Sequence, residues 1–351
     1  MKKIKIGNKI ISLNHPTYFI ADIASNHDGS LSKAKELIHM AAESGADAAK
    51  FQNFYAKTLV SDFGFKNLKK INSHQNKWKK SVYETYKENE VSLKWTSELA
   101  KTCKIKKIEY MTASYDMSIN SYLNRFLRAW KVGSGDITWH DHIIKMAQTK
   151  KPIIVATGAS RMDEIEKIYN KIIKVNKNLI LMQCNTNYTN KKNNFNYINL
   201  NVLNSFKNKF KNAILGLSDH TYGHETVLGA ITLGARVIEK HFTDSNKRNG
   251  PDHKFSMNPK TWREMIVASR TLEMALGKSI KKVEMNEQET IILQRRSIRA
   301  KKDIKKNQLI TKKNFEFLRP CPKDAMPVYN FYKILNKKSK SFIKKGDYIK
   351  K

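Results

Sequence analysis

Short apolar segments alternate with longer amphipathic segments along most of the chain. The short segments are apolar over nearly their whole length, which is typical of strands buried on both faces of a parallel sheet. The predicted strands are residues 18–23, 48–51, 109–112, 129–132, 153–156, 179–183, 213–217 and 237–240. Apolar residues recur with helical spacing between them, as in residues 31–44, 95–103, 162–175 and 226–233. Eight such repeats predict a (β/α)8 barrel, with a doubly wound sheet as the alternative.

Two further segments depart from this alternation. Residues 4–6 and 10–11 are rich in isoleucine and flank Gly7-Asn8, which predicts a hairpin that plugs the bottom of the barrel. Residues 55–92 form a polar and aromatic insertion. It is too long for an ordinary connection, so we expect it to be functional.

The pattern changes after Leu276. Gly277 ends a helix, and the charged stretch after it has no apolar period. Short β-like pieces follow, including residues 296–300 and 315–318. We therefore predict a barrel domain over residues 1–280, a linker over 281–292 and a small β-rich domain over 293–351.

Composition narrows the class of protein. Apolar residues make up 40% of the 351, which is enough for a substantial core. No apolar run reaches the roughly 18–20 residues that span a bilayer, and no signal peptide is recognisable at the start. Three cysteines without CxxC spacing argue against a disulfide framework or a zinc site. The expected compartment is a reducing cytoplasm.

The formal net charge is +35. It could indicate nucleic-acid binding, but the excess is nearly all lysine and is spread along the chain without a nucleic-acid motif. We interpret it as a compositional bias with solvated lysines, and expect no nucleic-acid partner and no membrane. A weaker interpretation is that the positive field draws in anionic substrates.

Polar residues and glycines follow nearly every predicted strand. In a barrel of this kind the carboxyl ends of the strands surround the active site, so these residues can converge. They are Asp22 with 25–29, Lys50 with Gln52, Thr112, 131–136, 156–158, 183–188, 218–221 and 239–242.

His220 and His241 end the seventh and eighth strands. Two imidazoles on neighbouring strand ends can bind one divalent metal and leave positions open for water or substrate. Few carboxylates accompany them, which favours Mn²⁺ over Ca²⁺, with Mg²⁺ or Co²⁺ as other candidates. The alternative is a hydrogen-bonded histidine beside a solvent-facing one.

Lys50 and Lys131 end the second and fourth strands. A buried lysine needs an anionic partner, which a phosphate or carboxylate substrate would supply. Thr112, Ser134 and Thr157, beside glycines, could add hydroxyl donors. The alternative is that each lysine pairs with a protein carboxylate such as Asp22 or Glu239.

Asp22, Asp136 and Glu239 are the acid–base candidates. Their spacing does not show which of them transfers a proton. Lys240 alternates to the outside of its strand, so we expect it to be structural.

With these residues in place, the chain resembles the sialic acid synthases, which use phosphoenolpyruvate to make N-acetylneuraminate and related nonulosonic acids. The matching segments run in order along nearly the whole chain. They are residues 20–29 (IADIASNHDG), 45–52 (GADAAKFQ), 131–135 (KVGSG), 216–221 (GLSDHT), 239–244 (EKHFTD), 250–252 (GPD) and 256–259 (SMNP).

The resemblance implies a barrel followed by an antifreeze-like (SAF) domain, and a domain-swapped homodimer in which that small domain caps the partner's site. It implies Mn²⁺ at His220 and His241. Phosphoenolpyruvate would be held by Lys50, Thr112, Lys131, Ser134 and Ser218, and the sugar would face Gln52, Tyr188 and Asp252. Arg319 matches the arginine that the cap sends into the partner's site.

The chain departs from the family pattern at several points. Asp22 stands where glutamate is frequent, Ala156 stands where a serine would donate to phosphate, and residues 112–114 read Thr-Ala-Ser instead of Thr-Pro-Phe. Asn185 and Asn187 are displaced from the usual asparagine, so either could reach the ligand. These differences keep open a bacillosamine-type deoxy sugar and a legionaminate- or pseudaminate-like product in place of N-acetylmannosamine and sialic acid.

The expected activity is condensation of phosphoenolpyruvate with an open-chain 2-acetamido aldose and water to give a nine-carbon 2-keto sugar acid and phosphate. Two other classes stay open. One is a Schiff-base aldolase or lyase that uses Lys50 or Lys131 on pyruvate and a sugar aldehyde. The other is a non-catalytic protein that binds carbohydrate or nucleic acid through its charge.

Overall fold

A computed structural model of the chain describes residues 2–68, 75, 78–188 and 191–351. Within them, eight parallel strands close into a barrel in the order β10-β3-β4-β5-β6-β7-β8-β9. This confirms the predicted (β/α)8 barrel, and the doubly wound alternative was wrong. The barrel strands are β3 (Tyr18–Asp22), β4 (Ala48–Asn53), β5 (Glu109–Ser114), β6 (Trp130–Val132), β7 (Ile153–Ala156), β8 (Leu179–Cys184), β9 (Ala213–Asp219) and β10 (Val237–His241).

Successive side chains of each strand alternate between the barrel interior and the surrounding helices. The lower interior is a closed apolar layer that includes Ile20, Met111 and Val237. The predicted hairpin is present as β1 (Ile4–Ile6) and β2 (Lys9–Ile11). Its residues Ile4, Ile6 and Ile11 pack into the same layer. Because this layer fills the bottom, polar side chains of the interior lie toward the carboxyl ends of the strands.

The helices pack around the barrel through apolar faces such as Ile165, Ile168 and Ile172 of α8 (Met162–Val175). Side chains cap several helices: the Ser30 hydroxyl accepts from the backbone N–H of Lys33 at the start of α1 (Leu31–Glu43). The helices after the barrel strands, outside the insertion, are α1 (Leu31–Glu43), α5 (Thr96–Ile105), α6 (Asn120–Asn124), α7 (His140–Gln148), α8 (Met162–Val175), α9 (Val202–Lys209), α10 (Glu225–Thr232) and α11 (Pro259–Leu276).

The insertion between β4 and α5 carries short helices, which are α2 (Ala56–Leu59), α3 (Asp62–Asn67) and α4 (Val82–Glu88). Part of the predicted insertion, residues 69–74 and 76–77, lies outside the described residues. Shorter 3₁₀ turns follow several strands, including Ser134–Asp136 after β6.

The chain divides into two compact units, Met1–Gly277 and Lys278–Lys351. The second unit has its own core, which includes Ile298, Ala300 and Phe315. It contains α12 (Gln288–Gln294) and an antiparallel pair, β11 (Ser297–Ala300) with β12 (Phe315–Leu318). The stretch predicted as a linker therefore includes most of a short helix. Among the described residues, no helix is long and apolar enough to cross a membrane.

Candidate functional site

Four ionic side chains lie in the barrel directly above the apolar layer. The strand register pairs Asp22 of β3 with Lys50 of β4 and with His241 of β10. Glu239 lies two residues before His241 on the same side of β10, and its Oε1 is 3.6 Å from Lys50 Nζ. Lys50 Nζ lies 2.7 Å from Asp22 Oδ2, and Lys131 Nζ lies 3.3 Å from Glu239 Oε1. All four are nearly inaccessible to solvent. In this state the lysines are therefore paired with protein carboxylates, as the alternative from the sequence anticipated.

The pairing determines how these groups hold protons. Burial raises the pKa of Glu239, but Lys131 and Lys50 outweigh it and lower that pKa to about 2. Burial, with repulsion from Glu239, raises the pKa of Asp22 despite Lys50. For Lys50, the attraction of Asp22 and Glu239 overcomes burial and raises the pKa, whereas burial and the neighbouring Lys50 lower the pKa of Lys131. The low pKa of Glu239 keeps its carboxylate ionised beside both lysines, whereas burial favours the neutral forms of Asp22 and Lys131.

A cavity of about 260 Å³ opens above this layer, and we call it the inner cavity. Side chains from most barrel strands line it. Those predicted from the sequence are Asp22, Lys50, Gln52, Lys131, Ser134, Asp136, Tyr188, Ser218, His220, Glu239 and His241. Burial raises the pKa of Asp136 to about 6. The inner cavity therefore combines two cations, hydroxyls and a carboxyl that can change protonation near neutral pH.

The two histidines lie side by side, with ring centroids 5.3 Å apart. His220 Nδ1 lies 2.8 Å from the backbone oxygen of Asn185. A carbonyl only accepts, so Nδ1 carries the hydrogen and Nε2 keeps a free lone pair. His241 Nδ1 is buried without a hydrogen-bond partner in the described part of the chain. Tyr188 packs on His220 at 4.4 Å and Phe255 on His241 at 4.9 Å.

Both rings are held neutral. Burial, followed by the second imidazole, lowers the pKa of His220 to about 4. Burial and Lys50 lower that of His241 to about 3. A neutral imidazole with a free nitrogen is the form that binds a divalent cation, and the carbonyl behind His220 is the usual outer partner of such a ligand. No group of three or more His, Cys, Asp or Glu side chains suited to a metal occurs among the described residues. The pair accordingly fits a metal that takes its remaining ligands from water or substrate.

A second cavity of about 190 Å³, the outer cavity, adjoins the first. The two share the lining residues Gln52, Phe54, Tyr86, Tyr115, Tyr188 and His241. The insertion supplies further residues of the outer wall, Trp78, Thr85 and Asn89 among them. Lys and Arg are absent from its described lining. The positive charge therefore lies in the inner cavity.

Asp252 is the carboxylate of the outer cavity. Its Oδ2 accepts from the backbone N–H of Ser25 at 3.0 Å and lies 4.0 Å from His241 Nδ1. Burial raises the pKa of Asp252 to about 6. A carboxylate in such a wall can accept hydrogen bonds from sugar hydroxyls.

Glycines allow the backbone to approach closely beside Ser134. A Cβ on Gly158 would lie 2.5 Å from Thr186 Cγ2 and 2.9 Å from Ser134 Oγ. A Cβ on Gly133 would lie 2.7 Å from the Tyr115 hydroxyl oxygen. The N–H of Gly158 donates to Ser134 Oγ at 3.0 Å, and the Ser134 hydroxyl also hydrogen-bonds with the Cys184 thiol.

Thr112 and Thr157 line neither cavity, and their role as donors to a ligand stays a prediction. Thr112 neighbours Phe51 across the β4–β5 pair and faces the helices, and its hydroxyl donates to Asn53 Oδ1 at 2.8 Å. The Thr157 hydroxyl donates to the backbone oxygen of Met182 at 2.9 Å. The strand alternation that brings Ala113 and Ala156 inward turns both threonines outward.

Three other predicted residues lie outside both linings. Asn185 orients His220 through its backbone oxygen, and its side chain donates to the Tyr197 oxygen at 3.2 Å. Asn187 accepts from Asn194 at 3.3 Å. Arg319 belongs to the second unit. Lys240 is buried against Asp219 and the Thr221 oxygen, in agreement with the structural role predicted for it.

Several lining residues were missed in the sequence. Phe54, Tyr86 and Tyr115 form an aromatic wall, with Phe54 and Tyr86 5.4 Å apart. Phe255 covers His241. Cys184, within the strand end 183–188 named from the sequence, lines the inner cavity. Phe54 and Tyr115 stand just beyond strand ends, which was the available signal. Nothing in the local pattern distinguished Tyr86 from the other aromatic residues of the insertion.

Comparison with known proteins agrees with this fold. The NeuB family model matches residues 37–281, and a SAF domain model matches residues 295–351. The protein is thus a sialic acid synthase-like enzyme with a barrel and a SAF domain. The chain belongs to the NeuB family, which confirms the resemblance found in the sequence.

Named relatives include the N,N'-diacetyllegionaminic acid synthase of Campylobacter jejuni, 37% identical over 87% of this chain and 91% of that protein. The human N-acetylneuraminate-9-phosphate synthase is 30% identical over 77% and 74%. Among solved structures, the N-acetylneuraminic acid synthetase of Leptospira borgpetersenii in complex with citrate has a TM-score of 0.71 at 26% identity and covers 83% of this chain and 95% of that one. At the level of the family, these relatives are nonulosonic acid synthases.

Proposed function

We propose that this protein condenses phosphoenolpyruvate with the open-chain form of a 2-acetamido aldose and water to give a nine-carbon 2-keto sugar acid and phosphate. The observation that carries the proposal is the separation of charge between the cavities. Two buried lysines lie in the inner cavity, while the outer cavity has an aromatic and hydroxyl-bearing wall with one carboxylate. An anionic donor suits the first environment and a neutral sugar the second.

Lys50 and Lys131 would bind the phosphate and carboxylate of phosphoenolpyruvate. They are charged, buried and placed before the substrate arrives, so stabilising the anion needs little reorganisation. The Ser134 hydroxyl and the backbone beside Gly133 and Gly135 supply further donors. Asp22 and Glu239 remain in contact with the lysines and hold them in position.

The reaction forms one carbon–carbon bond and replaces the C2–O bond to phosphate with a C2–O bond from water. C3 of phosphoenolpyruvate attacks the aldehyde carbon, and the aldehyde oxygen takes up a proton. Water then adds to C2 and loses a proton, and the C2–O bond to phosphate breaks to leave the ketone. Asp136, whose pKa is raised to about 6 by burial, can give and take protons in this range. Glu239 Oε2 is buried without a hydrogen-bond partner among the described residues and can orient the water.

His220 and His241 would hold a divalent cation, with Mn²⁺ proposed and Mg²⁺ or Co²⁺ as alternatives. When bound, such an ion supplies Lewis acidity toward a carbonyl oxygen. Asn185 sets the tautomer of His220, and Tyr188 and Phe255 hold both rings. These contacts orient the two rings.

The acceptor that we propose is an uncharged 2-acetamido sugar, N-acetylmannosamine or a related deoxy sugar. The relatives include a synthase of a diacetylated acid and a synthase of a 9-phosphate. A phosphate placed beside Asp252, in a wall without described cations, would be repelled and poorly solvated. The aromatic side chains Phe54, Trp78 and Tyr86 instead suit methyl and acetamido groups.

A phosphate-release assay tests this proposal. Phosphoenolpyruvate and Mn²⁺ are incubated with N-acetylmannosamine, its 6-phosphate and a 2,4-diacetamido-2,4,6-trideoxyhexose. We expect release that depends on an uncharged acceptor. A Lys131→Met variant serves as the inactive control. The proposal would be refuted if no acceptor of the panel led to phosphate release. Borohydride trapping of a pyruvate Schiff base on Lys50 or Lys131 would also refute it.

A further inference from the structure

The loop after β10, residues 242–258, is tied to the loop after β3, residues 23–30, by side chains that line neither cavity. We call the group of Asp28, Thr243, Arg248 and His253 the loop clasp. We propose that the loop clasp positions Asp252 for the acceptor sugar and so determines the affinity for the acceptor but not for phosphoenolpyruvate. This inference rests on the function proposed above.

His253 is the centre of the clasp. Its ring is fully buried, with Nδ1 2.6 Å from the Thr243 hydroxyl and Nε2 2.9 Å from Asp28 Oδ1. A carboxylate only accepts, so Nε2 donates to Asp28. A Cβ on Gly250 would lie 2.6 Å from the ring, so the loop packs tightly around it.

Arg248 closes the clasp from the other side. Its Nε and Nη2 lie 3.0 and 2.5 Å from Asp28 Oδ2, and its Nη1 lies 3.4 Å from Asp244. Two N–H groups of the Arg248 guanidinium donate to one carboxylate oxygen, which fixes the orientation of the guanidinium as well as its distance from Asp28. Asp28 has a φ of 50°, a left-handed conformation that costs energy in a residue other than glycine and is kept here by its partners.

The clasp acts on Asp252 through the chain and through two hydrogen bonds. Asp252 directly precedes His253. Its carboxylate accepts from Ser25 on the opposite loop, and its backbone oxygen accepts from Ser256 at 2.7 Å. Phe255, two residues after His253, packs on His241. Because the clasp joins the same two loops as the Ser25–Asp252 bond, loosening it moves Asp252 away from the outer cavity.

Lys50 and Lys131 stand on β4 and β6, and Ser134 lies in the turn after β6. Among the described residues, the ion pairs of both lysines are with Asp22 and Glu239 and not with the clasp. A change in the clasp should therefore alter the binding of the acceptor sugar and leave the binding of phosphoenolpyruvate unaltered. Clasp residues are positioning residues, since none of them lines the space where a ligand would lie.

The test compares Arg248→Gln and Asp28→Asn with Arg270→Gln. Arg270 makes a similar ion pair with Glu273 at 2.8 Å on α11 and lines neither cavity, so it is a matched control. We expect the clasp variants to raise the KM for the acceptor about tenfold, the effect of losing one charge-assisted contact. The KM for phosphoenolpyruvate should stay within about twofold of that of the unaltered enzyme.

Hydrogen–deuterium exchange gives a second measurement that does not need turnover. Exchange of residues 250–256 should rise in both clasp variants and not in Arg270→Gln. Equal rises in the two KM values, or exchange and KM values that match the control, would overturn the inference. If the unaltered enzyme releases no phosphate with any acceptor, the proposed function fails, and the exchange data still decide whether the clasp holds the loop.

Discussion

At the scale of single residues, buried ionic side chains determine the chemical character of the inner cavity. Lys50 and Lys131 are costly to bury, and their carboxylate partners offset that cost before any substrate binds. Removing one member leaves an opposite charge buried without compensation, which typically costs about 3–5 kcal/mol. A substitution of Lys50 or Lys131 therefore changes both the stability of the fold and the binding of substrate. Substitutions next to these positions separate the two effects.

Ser134 and Thr112 provide a pair of hydroxyls with opposite orientations. Ser134→Ala removes a donor in the inner cavity and should raise the KM for phosphoenolpyruvate about tenfold. Thr112→Val removes a bond to Asn53 behind the strand, so it should cost about 1 kcal/mol of unfolding free energy and leave that KM unchanged. Steady-state kinetics and urea unfolding measure both. A large KM effect in Thr112→Val would show that the resemblance, and not the strand orientation, assigns this residue correctly.

A buried histidine outside the cavities should produce acid sensitivity. Burial lowers the pKa of His27 from 6.5 to about 4, and its Nδ1 accepts from the N–H of Gly29, which a protonated nitrogen cannot do. Stability is therefore fully present above pH 6.5 and falls as the pH drops toward 4. The loss from His27 is about 2 kcal/mol at pH 5.

His27→Gln should reduce the difference in unfolding free energy between pH 7.5 and pH 5 by that amount. Urea unfolding followed by near-ultraviolet circular dichroism measures it. The control is His39→Gln on α1, where the ring is exposed in the folded chain. An unchanged pH dependence in His27→Gln would contradict the account.

At the scale of elements, the carboxyl ends of the strands carry most of the site. Their positions could be predicted because buried parallel strands are short apolar runs bounded by polar residues and glycine. Side chains alternate between the barrel interior and the helices along each strand. The residue that faces inward at a strand end can therefore be predicted only if the strand boundary is correct. β5 and β9 each extend two residues beyond the prediction, and Thr112, predicted as a donor to a ligand, faces the helices beside Phe51. The wall supplied by α4 was not predictable because it depends on tertiary packing of an insertion.

A substitution of Gly158 tests how closely the backbone after β7 approaches Thr186 and Cys184. Gly158→Ala places a methyl group 2.5 Å from Thr186 and 3.1 Å from Cys184, and should cost about 1–3 kcal/mol of unfolding free energy. Gly135→Ala, where a Cβ meets nothing within 4 Å, is the matched control for stability. Equal thermal stability of the two variants would show that the packing around Gly158 is looser than described.

At the scale of the whole molecule, the chain has two compact units, and the second matches a SAF domain. The helical spacing of apolar residues stops after Leu276, and this predicted the division. Apolar residues recur at regular spacing only in elements that pack on a core, so the end of the spacing marks the end of the barrel core. The predicted domain-swapped homodimer stays a prediction. If it forms, Arg319 of one subunit completes the site of its partner.

Mixing two inactive variants tests that arrangement. Lys131→Met and Arg319→Ala should each be nearly inactive as homodimers. In a swapped heterodimer, one site combines an intact barrel with an intact Arg319, so denaturing and refolding an equal mixture should restore about a quarter of full activity. Phosphate release measures the recovery. Activity that stays at the level of the separate variants would place Arg319 in its own subunit's site or outside catalysis.

The central claim is that the site joins C3 of phosphoenolpyruvate to a sugar aldehyde and releases phosphate by breaking the C2–O bond. The most direct test uses phosphoenolpyruvate labelled with ¹⁸O at the oxygen that bridges carbon and phosphorus, with an uncharged 2-acetamido aldose and Mn²⁺. Mass spectrometry of the products locates the label. We predict that the released phosphate carries the ¹⁸O and that the keto acid takes its new oxygen from water. Label retained in the keto acid, or phosphate release that does not require the sugar, would contradict the account.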